Sequence, residues 1–166
     1  MEKDVVETAH NVRSRILNYA IIIEMQLEDF IRDYFVKEDN KKLKFSELIV
    51  RKEFFTFEQK INVFEKILEE IKEIKVIYYT SKGEYDLIKN KKDFIKRIRY
   101  IREIRNAIAH IHPFRDEGTE DIGIIYPFDN KKKEIILNDK FGMEFFNEYF
   151  KIEEILRQLK KELFKK

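Results

Sequence analysis

The feature that most constrains how this chain can fold is the spacing of apolar side chains between Val5 and Phe35. Ala9, Ile16, Ala20, Ile23, Leu27, Phe30 and Tyr34 recur at steps of three, four or seven. A chain that advances about 100° per residue places all of them on one stripe of an α-helix, whereas a strand would scatter them over both faces. Midway, Ile21, Ile22 and Met25 point away from that stripe. The helix is therefore apolar nearly all round for two turns and needs cover on a second side, from other helices or from a second subunit.

The same three-and-four spacing recurs further along. Thr56-Phe57-Glu58-Gln59 has the form of a capping box, in which the threonine hydroxyl and the glutamine amide satisfy orphan N–H groups at a helix start. The helix it opens carries Phe57, Ile61, Phe64, Leu68 and Ile71 on one face and is expected to end near Ile74. Another helix, with Phe94, Ile98, Ile101, Ile104 and Ile108 on one face, starts near Glu84 or Lys91 and ends by Ile111, because Pro113 disfavours helical geometry at the residue before it. The last, from Phe141 to Leu163, repeats Phe145, Tyr149, Ile152, Leu156, Leu159 and Leu163.

Between these, Lys37 to Lys44 reads as a charged connection and Ser46 as the cap of a short turn through Ile49. Val76 to Tyr79 is β-prone but lacks an evident partner strand and is assigned to loop, and Ser81-Lys82-Gly83 reads as a turn. Ile122 to Tyr126 and Glu134 to Leu137 flank Pro127-Phe128-Asp129-Asn130 as a two-stranded hairpin. The expected fold is mainly α, an up-and-down helical bundle with a small β-hairpin inserted before the last helix, in one domain spanning residues 1–166.

With 43% hydrophobic residues, including 15 Phe, the chain can fill a core although 40% of it is charged. Cysteine is absent, so there is neither a disulfide framework nor a thiolate metal site. No apolar run is long enough to cross a bilayer, and a cytoplasmic protein without membrane partners is expected. The four glycines form no phosphate-cradling loop, and no nucleophile elbow is present; no cofactor is expected.

The chemistry concentrates at Arg105-Asn106-Ala107-Ile108-Ala109-His110. Helical geometry sets Arg105 between Ile98, Ile101 and Ile108, where a guanidinium calls for a paired carboxylate, an anionic ligand or a second subunit. Glu24 and Glu28, four apart on the first helix, are the most economical supporting carboxylates. Asn106 and His110 share a flank with Arg99 and Arg102, and from Lys89 to Arg105 eight basic residues face only Asp93 and Glu103. Arg99, Arg102, Arg97 and Lys96 are the candidates for contacts to an RNA backbone. His110 sits in the last helical turn, where the dipole favours positive charge. His10 reads as exposed.

The six residues from Arg105 to His110 resemble the Arg-polar-x-x-x-His signature of the HEPN superfamily. The long first helix, Phe57-Glu58-Gln59-Lys60-Ile61 opening a mid-chain helix, and a final helix after the motif are similar to that family's bundle. The resemblance implies a homodimer in which two motifs line one cleft, often acting as a metal-independent endoribonuclease, with Arg105, Asn106 and His110 as the catalytic residues. It further implies RNA as substrate, a 2′,3′-cyclic phosphate product, and a toxin, defence or processing role with an antitoxin or regulatory protein as partner. Residues 122–138 are an insertion relative to the plain bundle, and His112 stands where one toxin subset of the family has tyrosine.

Two other readings fit the residues. In one, Arg105 pairs with Glu24 or Glu28 and His110 caps the helix, leaving a catalytically inactive module that binds nucleotides or a partner protein. In the other, His110 and His112 ligate a metal, although two histidines without carboxylates fall short of a usual ligand set.

Overall fold

A computed structural model describes residues 2–72, 77–80, 83–87, 89–111, 113–115, 122–128 and 131–164. The fold is a helical bundle with small antiparallel β-pairings, one of them directly before the last helix. The helices are α1 (Glu2–Phe35), α2 (Asp39–Phe45), α3 (Phe57–Glu70), α4 (Lys91–His110) and α5 (Asp139–Leu163), and the strands are β1 (Ile77–Thr80), β2 (Gly83–Asp86), β3 (Phe114–Arg115), β4 (Ile122–Phe128) and β5 (Lys131–Ile136).

Two compact units share the three long helices. Residues 1–21 and 101–149 make one. In it Ala9, Val12, Ile16 and Ala20 of α1, Ile101, Ile104 and Ile108 of α4, Ile124 and Tyr126 of β4, and Phe145 and Tyr149 of α5 are buried. The Tyr19 ring packs on Phe146 and Tyr149 with centroids 5.1 and 4.3 Å away. Residues 22–100 and 150–166 make the other, with Ile23, Leu27 and Phe30, Ile61, Phe64 and Leu68, Phe94 and Ile98, and Ile152, Leu156 and Leu159 buried. Phe30 and Phe64 meet edge to face at 5.0 Å, the geometry that aromatic quadrupoles favour. The apolar stripes read from the sequence are the buried faces because each is wide enough to seal a helix against its neighbours.

The capping box at α3 forms as expected. Gln59 Oε1 accepts from the Thr56 backbone N–H at 2.7 Å, and Thr56 Oγ1 accepts from the Gln59 N–H at 3.4 Å. The helix ends at Glu70, four residues short of Ile74, which lies outside the described residues.

Several local expectations are corrected. The charged connection from Lys37 to Lys44 is largely helical: α2 runs from Asp39 to Phe45 without burying any residue. It is held by charge, with Lys42 paired to Asp39 at 2.9 Å and to Asp33 at 3.3 Å, so it has no apolar periodicity to betray it. Ser46 does not cap a turn; it is buried at the start of a π-helical turn, Ser46–Val50, that continues α2. The segment assigned to loop near Val76 to Tyr79 supplies β1, which pairs antiparallel with β2 through Tyr78 and Tyr85; of the turn between them, Ser81 and Lys82 lie outside the described residues.

The hairpin before α5 also has a third strand. Phe114 and Arg115 pair with Gly123 and Ile122. Pro127 and Phe128 belong to β4 rather than to the turn, paired with Lys132 and Lys131 of β5. Gly123 leaves room for a neighbour in this sheet: a Cβ there would lie 2.6 Å from the Phe114 ring, which would have to shift. No helix is long and apolar enough to cross a membrane, among the described residues.

Candidate functional site at the end of α4

α4 runs from Lys91 to His110, and the Ile111 N–H still donates to the Ala107 carbonyl. The helix stops there as Pro113 requires. His110 is exposed at its last residue and hydrogen-bonds no other described residue.

Arg105 is half-buried at the border of the apolar face, where Ile101, Ile104 and Ile108 fill the core positions. Its Nη1 donates to Asn106 Oδ1 at 2.9 Å. The asparagine amide is thus turned to hold the guanidinium of its neighbour. The expected pairing with Glu24 and Glu28 is replaced by another. Both carboxylates accept from the buried Lys60 Nζ at 2.6 Å, and Arg51 approaches Glu28 at 3.7 Å. Lys60 takes this place because it lies on α3, whose apolar face carries it inward with Ile61 and Phe64; a buried ammonium needs such anions.

The basic candidates on α4 differ in what they offer. Lys96 is exposed. Arg97 donates to Asp93 at 2.8 Å. Arg99 is clamped by α3, bonding Asn62 at 2.9 Å, Glu65 at 2.8 Å and Glu58 at 3.4 Å. Arg102 is half-buried, 3.3 Å from Glu103. Much of the charge that reads as a free basic track is therefore neutralised within the fold.

A groove of about 300 Å³ opens beside the motif, lined by Glu103, Asn106, Ala107, His110, Ile111 and Tyr126. Two of these were missed by sequence reasoning. Glu103 carried a signal: it lies seven residues before His110, two turns along the same flank. Tyr126 carried none, because it arrives from β4 and only the packing of the sheet brings it to α4. Burial, and then the charge of Glu103, push the Tyr126 phenol above its ordinary range. At neutral pH it is a fixed hydroxyl, able to donate and accept but not a base.

The groove thus gathers a carboxylate, an amide, an imidazole and a neutral phenol, with a guanidinium tied to the amide at its edge. Such a set can bind a phosphodiester oxygen and move protons. Among the described residues no three His, Asp or Glu side chains are grouped to hold a metal ion; His112 lies outside them. His10 is exposed, as expected. No protein-family model, curated protein or solved structure matches this chain.

Proposed function

We propose that the chain is a metal-independent endoribonuclease. The observation that carries the reading is the groove at the end of α4, in which His110 is exposed beside Asn106 while Asn106 holds Arg105 at 2.9 Å. The resemblance of Arg105 to His110 to the HEPN signature supports the same reading.

In this reaction a base takes the proton of a ribose 2′-hydroxyl, O2′ bonds to the adjacent phosphorus, the P–O5′ bond breaks, and O5′ receives a proton. The products are a 2′,3′-cyclic phosphate and a 5′-hydroxyl. His110 transfers protons, since imidazole is the side chain suited to both directions near neutrality. Arg105 presents a permanently charged planar fork to the non-bridging oxygens as charge builds in the transition state. Asn106 orients that fork. One histidine per chain serves one of the two proton transfers, and a second copy related by a twofold axis supplies the other. Ile21, Ile22 and Met25 of α1 remain 46, 38 and 52% exposed in the single chain, which suits such association. Lys96, exposed on α4, is the cation open to the RNA backbone, while Arg97, Arg99 and Arg102 would have to exchange carboxylate partners for phosphate to join it; a role as toxin or defence effector is part of the proposal.

Incubation of wild type and His110→Ala with end-labelled RNA in EDTA tests the reading. Cleavage leaving cyclic phosphate ends, lost in the variant, is expected; cleavage that survives the substitution or requires Mg²⁺ overturns it.

A second reading, an inactive module that binds a nucleotide or partner protein, is favoured by the clamping of Arg99 to Glu58 and Glu65. On that reading no RNA is cut and replacing His110 changes neither stability nor partner binding.

A further inference from the structure

A cavity of about 1130 Å³ lies in the unit formed by residues 22–100 and 150–166, lined by the last turns of α1 and α5 and by α2. Its lining carries six cations, Arg32, Lys37, Lys42, Arg157, Lys160 and Lys161, and one carboxylate, Asp33; Arg157 is held by Glu154 at 2.7 Å. None of these belongs to the groove at the end of α4.

Asp33 is the focus. Its side chain is only 11% exposed; Oδ1 accepts from Arg32 Nε at 3.1 Å and lies 3.3 Å from Lys42 Nζ, and Oδ2 lies 3.1 Å from Lys160 Nζ. Burial opposes its ionisation, but hydrogen bonds from Arg32 and Lys160 and their charges outweigh it and hold the carboxyl below its usual range. Three cations lie within hydrogen-bonding reach of this one carboxylate, so the positive excess of the lining rests on Lys37 and Lys161 beside them. Asp29 and Asp39 draw on Arg32 and Lys42 from outside, whereas Lys160 has no other ion pair to a described residue. Lys37 and Lys161 are exposed on the lining with no ion pair to any described residue.

Converging cations of this kind concentrate positive potential in a concavity. A monoanion would satisfy only part of it. An extended nucleic-acid strand, whose charges are spread along its backbone, matches a track better than a focus. Linked phosphates match the focus: they bring several charges and many acceptor oxygens to one point, where the lysine ammoniums can share them. Tyr34, Leu163 and Phe164 add an apolar wall suited to an organic body attached to such a group.

We propose that this cavity binds an oligophosphate group, two or more linked phosphates, carried either as the free inorganic ion or on an organic body. The inference is independent of the ribonuclease reading.

Calorimetric titration of the full chain with tripolyphosphate tests it. Saturable binding that weakens as salt rises is expected, with a loss of about tenfold or more in the doubly charge-reversed Lys37→Glu/Lys161→Glu and none in Lys92→Glu, an exposed position on α4. Asp33→Asn gives a readout independent of those two lysines: with the counter-charge removed, tripolyphosphate should raise its melting temperature more than that of wild type. Adenosine triphosphate as a second titrant separates the sources, since tighter binding than tripolyphosphate assigns the apolar wall to an organic body and equal binding assigns the site to phosphate alone. No saturable heat with tripolyphosphate, or unchanged affinity in the double variant, would overturn the proposal.

Discussion

The Nη1 of Arg105 donates to the Oδ1 of its neighbour Asn106 at 2.9 Å, so the polar residue after the arginine acts on the arginine rather than on the imidazole four residues further on. If Asn106 serves by orienting the fork, Asn106→Ala should slow RNA cleavage by roughly one to two orders of magnitude, less than His110→Ala, whose proton transfer is worth about 10²–10⁴. Asn106→Asp, which keeps an acceptor for the guanidinium, should recover part of the loss. Single-turnover rates on one RNA rank the three variants; Asn106→Ala matching wild type would remove the asparagine from the mechanism.

Tyr126 is expected to remain protonated beyond the ordinary phenol range, because burial and then Glu103 disfavour the phenolate. The folded pKa is raised, so its contribution to stability is complete below the unfolded value of about 10 and is lost as pH rises through the folded value. Ultraviolet difference titration of wild type against Tyr126→Phe should show one tyrosine ionising late, and Tyr126→Phe should lessen the alkaline loss of stability. A Tyr126 that ionises with the exposed tyrosines would contradict the environment described.

Lys60 joins Glu24 and Glu28, each at 2.6 Å, with its side chain only 6% exposed. Removing it strands two partly buried carboxylates, and Lys60→Ala should cost about 3–5 kcal/mol in urea denaturation. The triple variant with Glu24→Gln and Glu28→Gln should recover much of that loss, since the amides carry no charge to strand. Equal destabilisation of the two proteins would mean that packing of the lysine stem, not charge, is what matters there.

At Gly123 the Phe114 ring occupies the space of a Cβ. Gly123→Ala should therefore displace β3 from β4 and destabilise the fold by about 1–3 kcal/mol, and Phe114→Ala in the same protein should relieve part of the strain. Thermal denaturation of the single and double variants decides it through their coupling.

Much of the fold was legible because its signals are local. The stripe from Ala9 to Phe30 and the one from Phe94 to Ile108 are both buried faces, with Tyr34 half-buried at the end of the first, and Thr56 with Gln59 caps α3 as its spacing predicts. α2 was not legible, since it buries nothing and is held by ion pairs of Lys42. Nor was the third strand, because Phe114 and Arg115 are too short a run to announce pairing with Ile122 and Gly123 across the intervening residues. At the candidate site the sequence placed Arg105, Asn106 and His110 on one helix end, but it assigned Glu24 and Glu28 to the wrong cation and had no access to Tyr126.

By itself, then, the sequence determined the apolar faces of the long helices and the cap that opens α3, since hydrogen bonds between residues four apart and caps three apart depend only on near neighbours. Tertiary structure alone decided that Lys60 answers Glu24 from 36 residues away, that Glu65 claims Arg99, and that Tyr126 closes the groove at His110. Which of several equally charged or equally aromatic side chains fills a given place is fixed by how distant elements pack, and a pattern of residue types leaves that choice open until the core has formed.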